Sequence, residues 1–208
     1  MNYQCIIFDL DGTLVDSEPL SSRAFIDLLP DLDVGVEELT TQIRGGKFAE
    51  VLLDIQTRYQ IGIPEGFESI FRSRVAELFE IALLPIPGVP QMLELTSQAM
   101  CIASSGPRPK ISHALNKTGL SHYFKDNIFS AYDIGSWKPE PDLFLHAAKK
   151  MGFKRSECIV IEDSSIGVRA AEAAGIDVLH FTEKPMREDC QRYKSFVSMR
   201  DLPMMIGQ

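Results

Sequence analysis

Short, almost unbroken apolar runs recur along this chain, and they constrain its fold more than any other feature. Runs at 3–8 (YQCIIF), 100–103 (MCIA), 158–161 (CIVI) and 177–181 (DVLHF) have the length and branched content of strands covered on both faces. A weaker fifth candidate is 127–131 (NIFSA). Helical patterns lie between them. Residues 89–96 follow Pro87-Gly88, and 109–117 follow a Ser-Ser-Gly-Pro turn. Residues 142–151 stop at Gly152, and 165–174 stop at Gly175, as helices commonly do. This alternation predicts an α/β fold with a doubly wound parallel sheet.

One segment breaks the alternation. From about residue 16 to 84 no run reads as a strand, and the amphipathic stretches 19–29, 36–43, 49–59 and 67–83 read as helices. Pro19 suits the first turn of a helix, where its missing N–H is no loss. The expected organisation is an α/β core from 1–15 and 85–208, with an inserted helical cap at 16–84. Such an insert would cover the carboxyl edge of the sheet, where ligands bind in this architecture. Apolar residues over 196–206 are candidates for a final strand and helix.

Composition removes several function classes. The 208 residues carry 21 basic and 29 acidic side chains, a net charge of −8, so no broad positive field attracts nucleic acid or anionic lipid. No apolar run reaches the roughly 18 residues of a membrane helix, and the N-terminus has no signal-peptide pattern. Cys5, Cys101, Cys158 and Cys190 form no CxxC pair, and the first three sit inside apolar runs as small core residues. A reducing cytoplasm is the expected compartment.

The densest cluster of chemistry is Phe8-Asp9-Leu10-Asp11-Gly12-Thr13. Asp9 and Asp11, two apart at the end of a strand, would project together. Gly12 permits a tight turn just beyond them. Paired carboxylates repel unless a cation, a shared proton or separate roles relieve them, and a hard ion such as Mg²⁺ does so directly. One carboxylate is then free to attack phosphorus and the other to move a proton. A pair of turn or helix-capping aspartates is the plainer alternative. Three further pieces have plain alternatives of their own. Ser104-Ser105-Gly106 follows a strand and precedes a helix, as a phosphate loop or an ordinary turn would. Lys138 lies in Trp137-Lys138-Pro139, as a phosphate-binding cation or a solvated side chain. Glu162-Asp163 ends a strand, as metal ligands or as a helix cap. Together the pieces make up the parts list of phosphoryl transfer.

In this order and spacing, DLDGT at 9–13, Ser104 after a strand, Lys138 in WKPEPD and EDSSIGVRAA from Glu162 resemble the haloacid dehalogenase superfamily. The resemblance covers essentially the whole chain and points to the branch with a helical cap, which includes β-phosphoglucomutase and many small sugar-phosphate phosphatases. It implies Asp9 as nucleophile and Asp11 as general acid/base. It implies a Mg²⁺ cofactor held by Asp9, the Asp11 carbonyl and Asp163, with Glu162 as a further ligand. Thr13 would brace the loop. Ser104, Lys138 and the backbone at Ser105 and Gly106 would hold the phosphoryl group. An acid at Asp11 favours phosphate esters over haloacids or phosphonates, because an alkoxide must be protonated to leave.

Two other activities are weighed against hydrolysis. Mutases of the β-phosphoglucomutase type carry a cap histidine twelve residues after the nucleophile, where this chain has Ser21; His113, His122, His146 and His180 all lie outside the cap. Phospho-acceptor signalling modules use a similar acceptor site but need no helical insert and lack an acid two residues beyond the acceptor. In the cap, Arg44-Gly45-Gly46-Lys47 reads as a loop descending on the site with two cations for the leaving group, or as a solvated turn. Glu18, near the hinge, is a further cap candidate. GKxxE in the cap with YDI…WKPEP in the core resembles bacterial phosphatases of phosphorylated sugar acids such as 6-phosphogluconate. The expected partner is a small phosphorylated metabolite, with the chain a monomer or weak homodimer.

Overall fold

The computed structural model describes residues 3–182 and 193–207. Cys190 therefore lies outside the described residues. Six parallel strands form one sheet in the order β3-β2-β1-β4-β5-β6. They are β1 Cys5–Phe8, β2 Ala99–Ser104, β3 Ile128–Ser130, β4 Cys158–Glu162, β5 Asp177–Phe181 and β6 Lys194–Phe196. In register, Cys5 faces Ala99 and Cys158, and Phe8 faces Ile102 and Ile161. Alternation along each strand divides the core. Cys5, Ile7, Cys101, Ala103, Cys158 and Val160 pack on the face covered by the helices α9 (Asp142–Met151) and α10 (Ser165–Ala174). Ile6, Phe8, Ile102, Ile159 and Ile161 pack on the other face, against α5 (Val89–Leu95) and α6 (Arg108–Lys117). Both faces are therefore apolar and covered, which explains why these strands read as continuous hydrophobic runs.

Between β1 and α5 the chain forms four helices: α1 Glu18–Leu28, α2 Val36–Ile43, α3 Phe48–Tyr59 and α4 Phe67–Ala82. Their interior is aromatic. Phe25 lies 4.3 Å from Phe71 and 6.0 Å from Phe67 between ring centroids, and Phe48 lies 5.1 Å from Phe71. The chain enters and leaves this unit side by side: Asp16 N–H donates to Leu84 O at 3.0 Å, and Ile86 N–H to Leu14 O at 3.0 Å. Two one-turn helices, α7 Ser121–Phe124 and α8 Ala131–Ile134, flank β3. A last turn, α11 Leu202–Met205, follows β6. Cys5, Cys101 and Cys158 are buried and unbridged. No helix among the described residues is long and apolar enough to cross a membrane.

Candidate active site

The strand order reverses beside β1, and the crevice at such a point opens at the carboxyl ends of the strands. A pocket lies there. Asp9 and Asp11 line it from the turn after β1, Ser105 and Gly106 from the turn after β2, and Glu162, Asp163 and Ser164 from the end of β4. Lys138 joins them from the loop before α9. The helical unit closes the other side with Glu18, Ser21, Phe25, Arg44, Gly45, Phe48, Phe71 and Arg72. The fit between the two sides is close: a Cβ on Gly45, whose φ is +70°, would stand 2.6 Å from Ser164 Oγ.

Lys138 is the electrostatic centre of the core side. Its side chain is 3% exposed and its ammonium bonds Asp9 and, at 2.6 Å, Glu162 Oε1. Burial pushes the lysine down, but Asp9 and Glu162 outweigh it and hold it above its usual range. Glu162 is itself fixed, because its Oε2 accepts from Ser164 N–H at 2.8 Å and Ser164 Oγ at 3.0 Å. Both its oxygens are thus engaged, and the geometry gives Glu162 the part of anchoring Lys138 rather than that of a free ligand. Its placement depends on Gly167, where a Cβ would stand 1.8 Å from Glu162 Oε1.

Asp9 and Asp11 do not extend the strand as alternation predicts. β1 ends at Phe8 and the chain turns, with Gly12 at φ +80°. They still reach one pocket, with different partners. Asp11 Oδ1 accepts from Ser17 Oγ at 2.5 Å and from Lys110 Nζ at 2.6 Å. Burial pushes the Asp11 carboxyl up, but Lys110 and Ser17 outweigh that and hold it low. Asp9 is pushed the other way, raised by burial and by Glu162, Asp163 and Asp11 against the pull of Lys138. Burial and the nearby Glu18 and Glu162 also raise Asp163. Its Oδ1 accepts from Thr13 Oγ1 at 3.1 Å, which ties the two loops together. Its Oδ2 is buried without a hydrogen bond.

Not every expected side chain faces the pocket. Ser104 is fully buried beneath the turn, where its Oγ accepts from Gly106 N–H at 3.1 Å. It shapes the turn after β2 instead of lining the pocket. Ser105 lines the pocket, and its buried Oγ has no partner, an acceptor and donor left for a ligand oxygen. Lys47 is turned away, its ammonium 4.2 Å from the Trp137 ring centroid, because an aromatic face offers a cation a partner at the rim. Arg44 lines the pocket with its Nε 2.8 Å from Glu18 Oε2 and Nη1 3.8 Å from Asp163 Oδ2. Glu18 is pushed up to about 8, by burial first and by Asp11 and Asp9, although Arg44 opposes the shift. Ser21 lines the pocket and no histidine does. Ser17, Lys110, Arg72 and Tyr132 also line it, and the sequence did not single them out. Only Lys110 carries a sequence signal, one helical turn beyond the Ser-Ser-Gly turn.

A parallel sheet in this strand order, with an acidic crevice at its carboxyl edge and a helical unit above, defines a class. The chain matches the family model "haloacid dehalogenase-like hydrolase" over residues 3–175. It belongs to that family of enzymes. Among curated relatives, it is 34% identical over 205 residues to the 6-phosphogluconate phosphatase of Escherichia coli, covering 96% of this chain and 93% of that one. It is 31% identical to hexitol phosphatase B of the same organism, covering 81% of this chain and 78% of that one. Among solved structures, a haloacid dehalogenase-like protein of unknown function from Agrobacterium tumefaciens superposes with a TM-score of 0.85 at 30% identity. That match covers 99% of this chain and 98% of the other.

Proposed function

We propose that the protein is a Mg²⁺-dependent phosphatase that hydrolyses small phosphorylated metabolites, sugar or sugar-acid phosphates, through an aspartyl-phosphate on Asp9. The carrying observation is the division of labour between two neighbouring carboxylates. Asp9 is paired to a buried lysine, Asp11 is held by Ser17 and Lys110, and both face one pocket beside the unpartnered Ser105 hydroxyl.

The residues present fit a hard divalent ion. Asp163 Oδ2 is buried without a hydrogen bond, and a Cβ on Gly12 would stand 2.3 Å from it. Asp9 and Asp163 are both pushed upward by burial and by neighbouring carboxylates, a cost that a cation removes. An ion of this kind is commonly held by one or two carboxylates together with water and the substrate phosphate. Asp9, Asp163 and the Asp11 carbonyl are the residues that would hold it. When bound, Mg²⁺ neutralises charge on the phosphoryl oxygens.

An Asp9 carboxylate oxygen attacks phosphorus, and the bond from phosphorus to the ester oxygen breaks. Asp11 gives its proton to the leaving alkoxide, then takes one from water as that water attacks the aspartyl-phosphate. The bond to Asp9 breaks, inorganic phosphate leaves and both carboxyl groups are restored. Lys110 couples binding to this cycle. A phosphoryl dianion competes with Asp11 for the Lys110 ammonium, and loss of that contact raises the Asp11 carboxyl toward protonation. Lys138 and Ser105 hold the phosphoryl oxygens. Residues 16–84 act as the cap that excludes water and receives the leaving group. The unbridged thiols of the core fit a reducing cytoplasm.

Released inorganic phosphate, measured with Mg²⁺ across a panel of sugar and sugar-acid phosphates, tests the reading. Asp9→Asn is expected to drop turnover below detection and EDTA to abolish it reversibly. Near-wild-type turnover by Asp9→Asn would overturn the covalent mechanism.

A further inference from the structure

We propose that the Arg72 guanidinium, with the Tyr132 hydroxyl, is the subsite for a carboxylate on the leaving group. This deepens the phosphatase reading and rests on it. Arg72 stands on α4 of the helical unit and Tyr132 on α8 of the core, and both line the pocket.

Among the described residues four cations line that pocket, and three of them lie against acidic side chains that line it too. Lys138 lies between Asp9 and Glu162, Lys110 is on Asp11, and Arg44 is beside Glu18. Arg72 differs. Its carboxylate partner is Glu68 at 3.0 Å, one turn earlier on the same helix, with a side chain 53% exposed. Solvent screens that pair, so it leaves the guanidinium charge largely available. Both hydrogen bonds of Arg72 run from Nη2, to Glu68 Oε1 and to Tyr132 Oη at 3.0 Å. Nε and Nη1 make none among the described residues. The guanidinium carbon lies 5.0 Å from the Phe48 ring centroid, a contact that holds the guanidinium against that ring.

A planar, pre-oriented guanidinium with free donors matches a carboxylate through two parallel hydrogen bonds. Tyr132 Oη accepts from Arg72 and has its own hydroxyl proton to donate to the same group. A second phosphate is a poorer match, because it would add a dianion to a pocket whose lining already sets five carboxyl groups against four cations. The same pocket is lined by Phe25, Phe48, Val51 and Phe71, an apolar wall that accepts a carbon chain without competing for either anion. The substrate class that fits is a phosphorylated sugar acid.

The test compares kcat/KM for 6-phosphogluconate and for the hexitol 6-phosphate of the same carbon chain, which replaces the carboxylate by a hydroxymethyl. Both are run beside p-nitrophenyl phosphate. The wild type is expected to favour the acid by about tenfold or more, the scale of a charge-assisted pair made by one substrate only. Arg72→Gln is expected to reduce the acid-over-hexitol ratio about tenfold, mainly through KM for the acid. Arg72→Lys keeps the charge and loses the fork, so it should retain part of the ratio. An unchanged ratio in Arg72→Gln would overturn the proposal, as would a wild type indifferent to the carboxylate. If that indifferent wild type still cleaves the aryl phosphate, the phosphatase reading stands and only the subsite falls. No phosphate release from any of the three compounds would overturn both.

Discussion

The two walls of the pocket are built on different principles. On the core wall most ionic groups are buried, and they are tied to fixed partners in a chain from Asp9 through Lys138 and Glu162 to Ser164 and the first turn of α10. On the cap wall the material is mostly aromatic, Phe25, Phe48 and Phe71 within 4.3–6.1 Å of one another, with Arg44 and Arg72 at its edges. Chemistry on phosphorus needs charges that do not relax, because transition-state stabilisation comes from groups already oriented. Holding a leaving group needs only a shaped apolar surface with a few polar contacts. A wall of the second kind constrains its residues less than a wall of the first kind. Relatives at 34% and 31% identity bear the names of different substrates.

The largest expected break falls on the core wall. Asp11→Asn should lower turnover of an alkyl phosphate by about 10²–10⁴-fold, the usual scale of general acid–base catalysis. An aryl phosphate, whose leaving group needs no proton, should still phosphorylate Asp9 and then stall. A burst of one phenolate per enzyme with the aryl substrate, and no burst of released alcohol with the alkyl one, is the expected trace. Equal slowing without a burst would remove Asp11 from the leaving oxygen. Gly167→Ala should act more indirectly. Its Cβ would stand 1.8 Å from Glu162 Oε1 and 2.0 Å from the carboxyl carbon, so either α10 or Glu162 must shift. An overpacked site of this kind loses about 1–3 kcal/mol in a urea titration. Turnover should fall with it, because Glu162 holds Lys138. Full activity would show that Lys138 does not depend on this anchor.

The same contrast explains what the sequence could and could not reveal. β5, α2, α9 and α10 lie at the residues expected for them, and most other boundaries shift by one or two. Gly152 and Gly175, both in the left-handed region, end α9 and α10 where the pattern predicts. α7, α8 and β6 are too short for any periodicity to mark them. Asp9, Asp11, Glu162 and Asp163 were legible because strand ends in a parallel sheet converge. Lys110 meets Asp11 from 99 residues away, and Arg72 meets Tyr132 from 60. The first pair is made within the core and the second by packing of the helical unit on it, and neither leaves a local pattern. Only the fold, likewise, shows that Trp137 stands beneath Lys47. Ser104 and Ser105 are neighbours whose roles the turn exchanges, with one Oγ bonded inward and the other left free.

The smallest effects sharpen the comparison at its far end, in the loop between α3 and α4. Gly62 and Gly66 are both exposed, and a Cβ on either would meet nothing within 4 Å. They differ in backbone: Gly66 has φ +71°, and Gly62 lies outside the left-handed region. Packing therefore predicts no change for alanine at either position, and conformation predicts opposite signs. Gly62→Ala should stabilise the fold by about 0.4–1 kcal/mol by restricting the unfolded chain. Gly66→Ala should destabilise it by about 1–2 kcal/mol from the left-handed residue alone. Both should leave kcat/KM at the wild-type value, measured beside urea titrations of each variant. A loss of activity in either would mean that this loop shapes the pocket after all. The distinction between a core wall fixed by its neighbours and a cap fixed only by its own backbone and aromatic packing would then have to be redrawn.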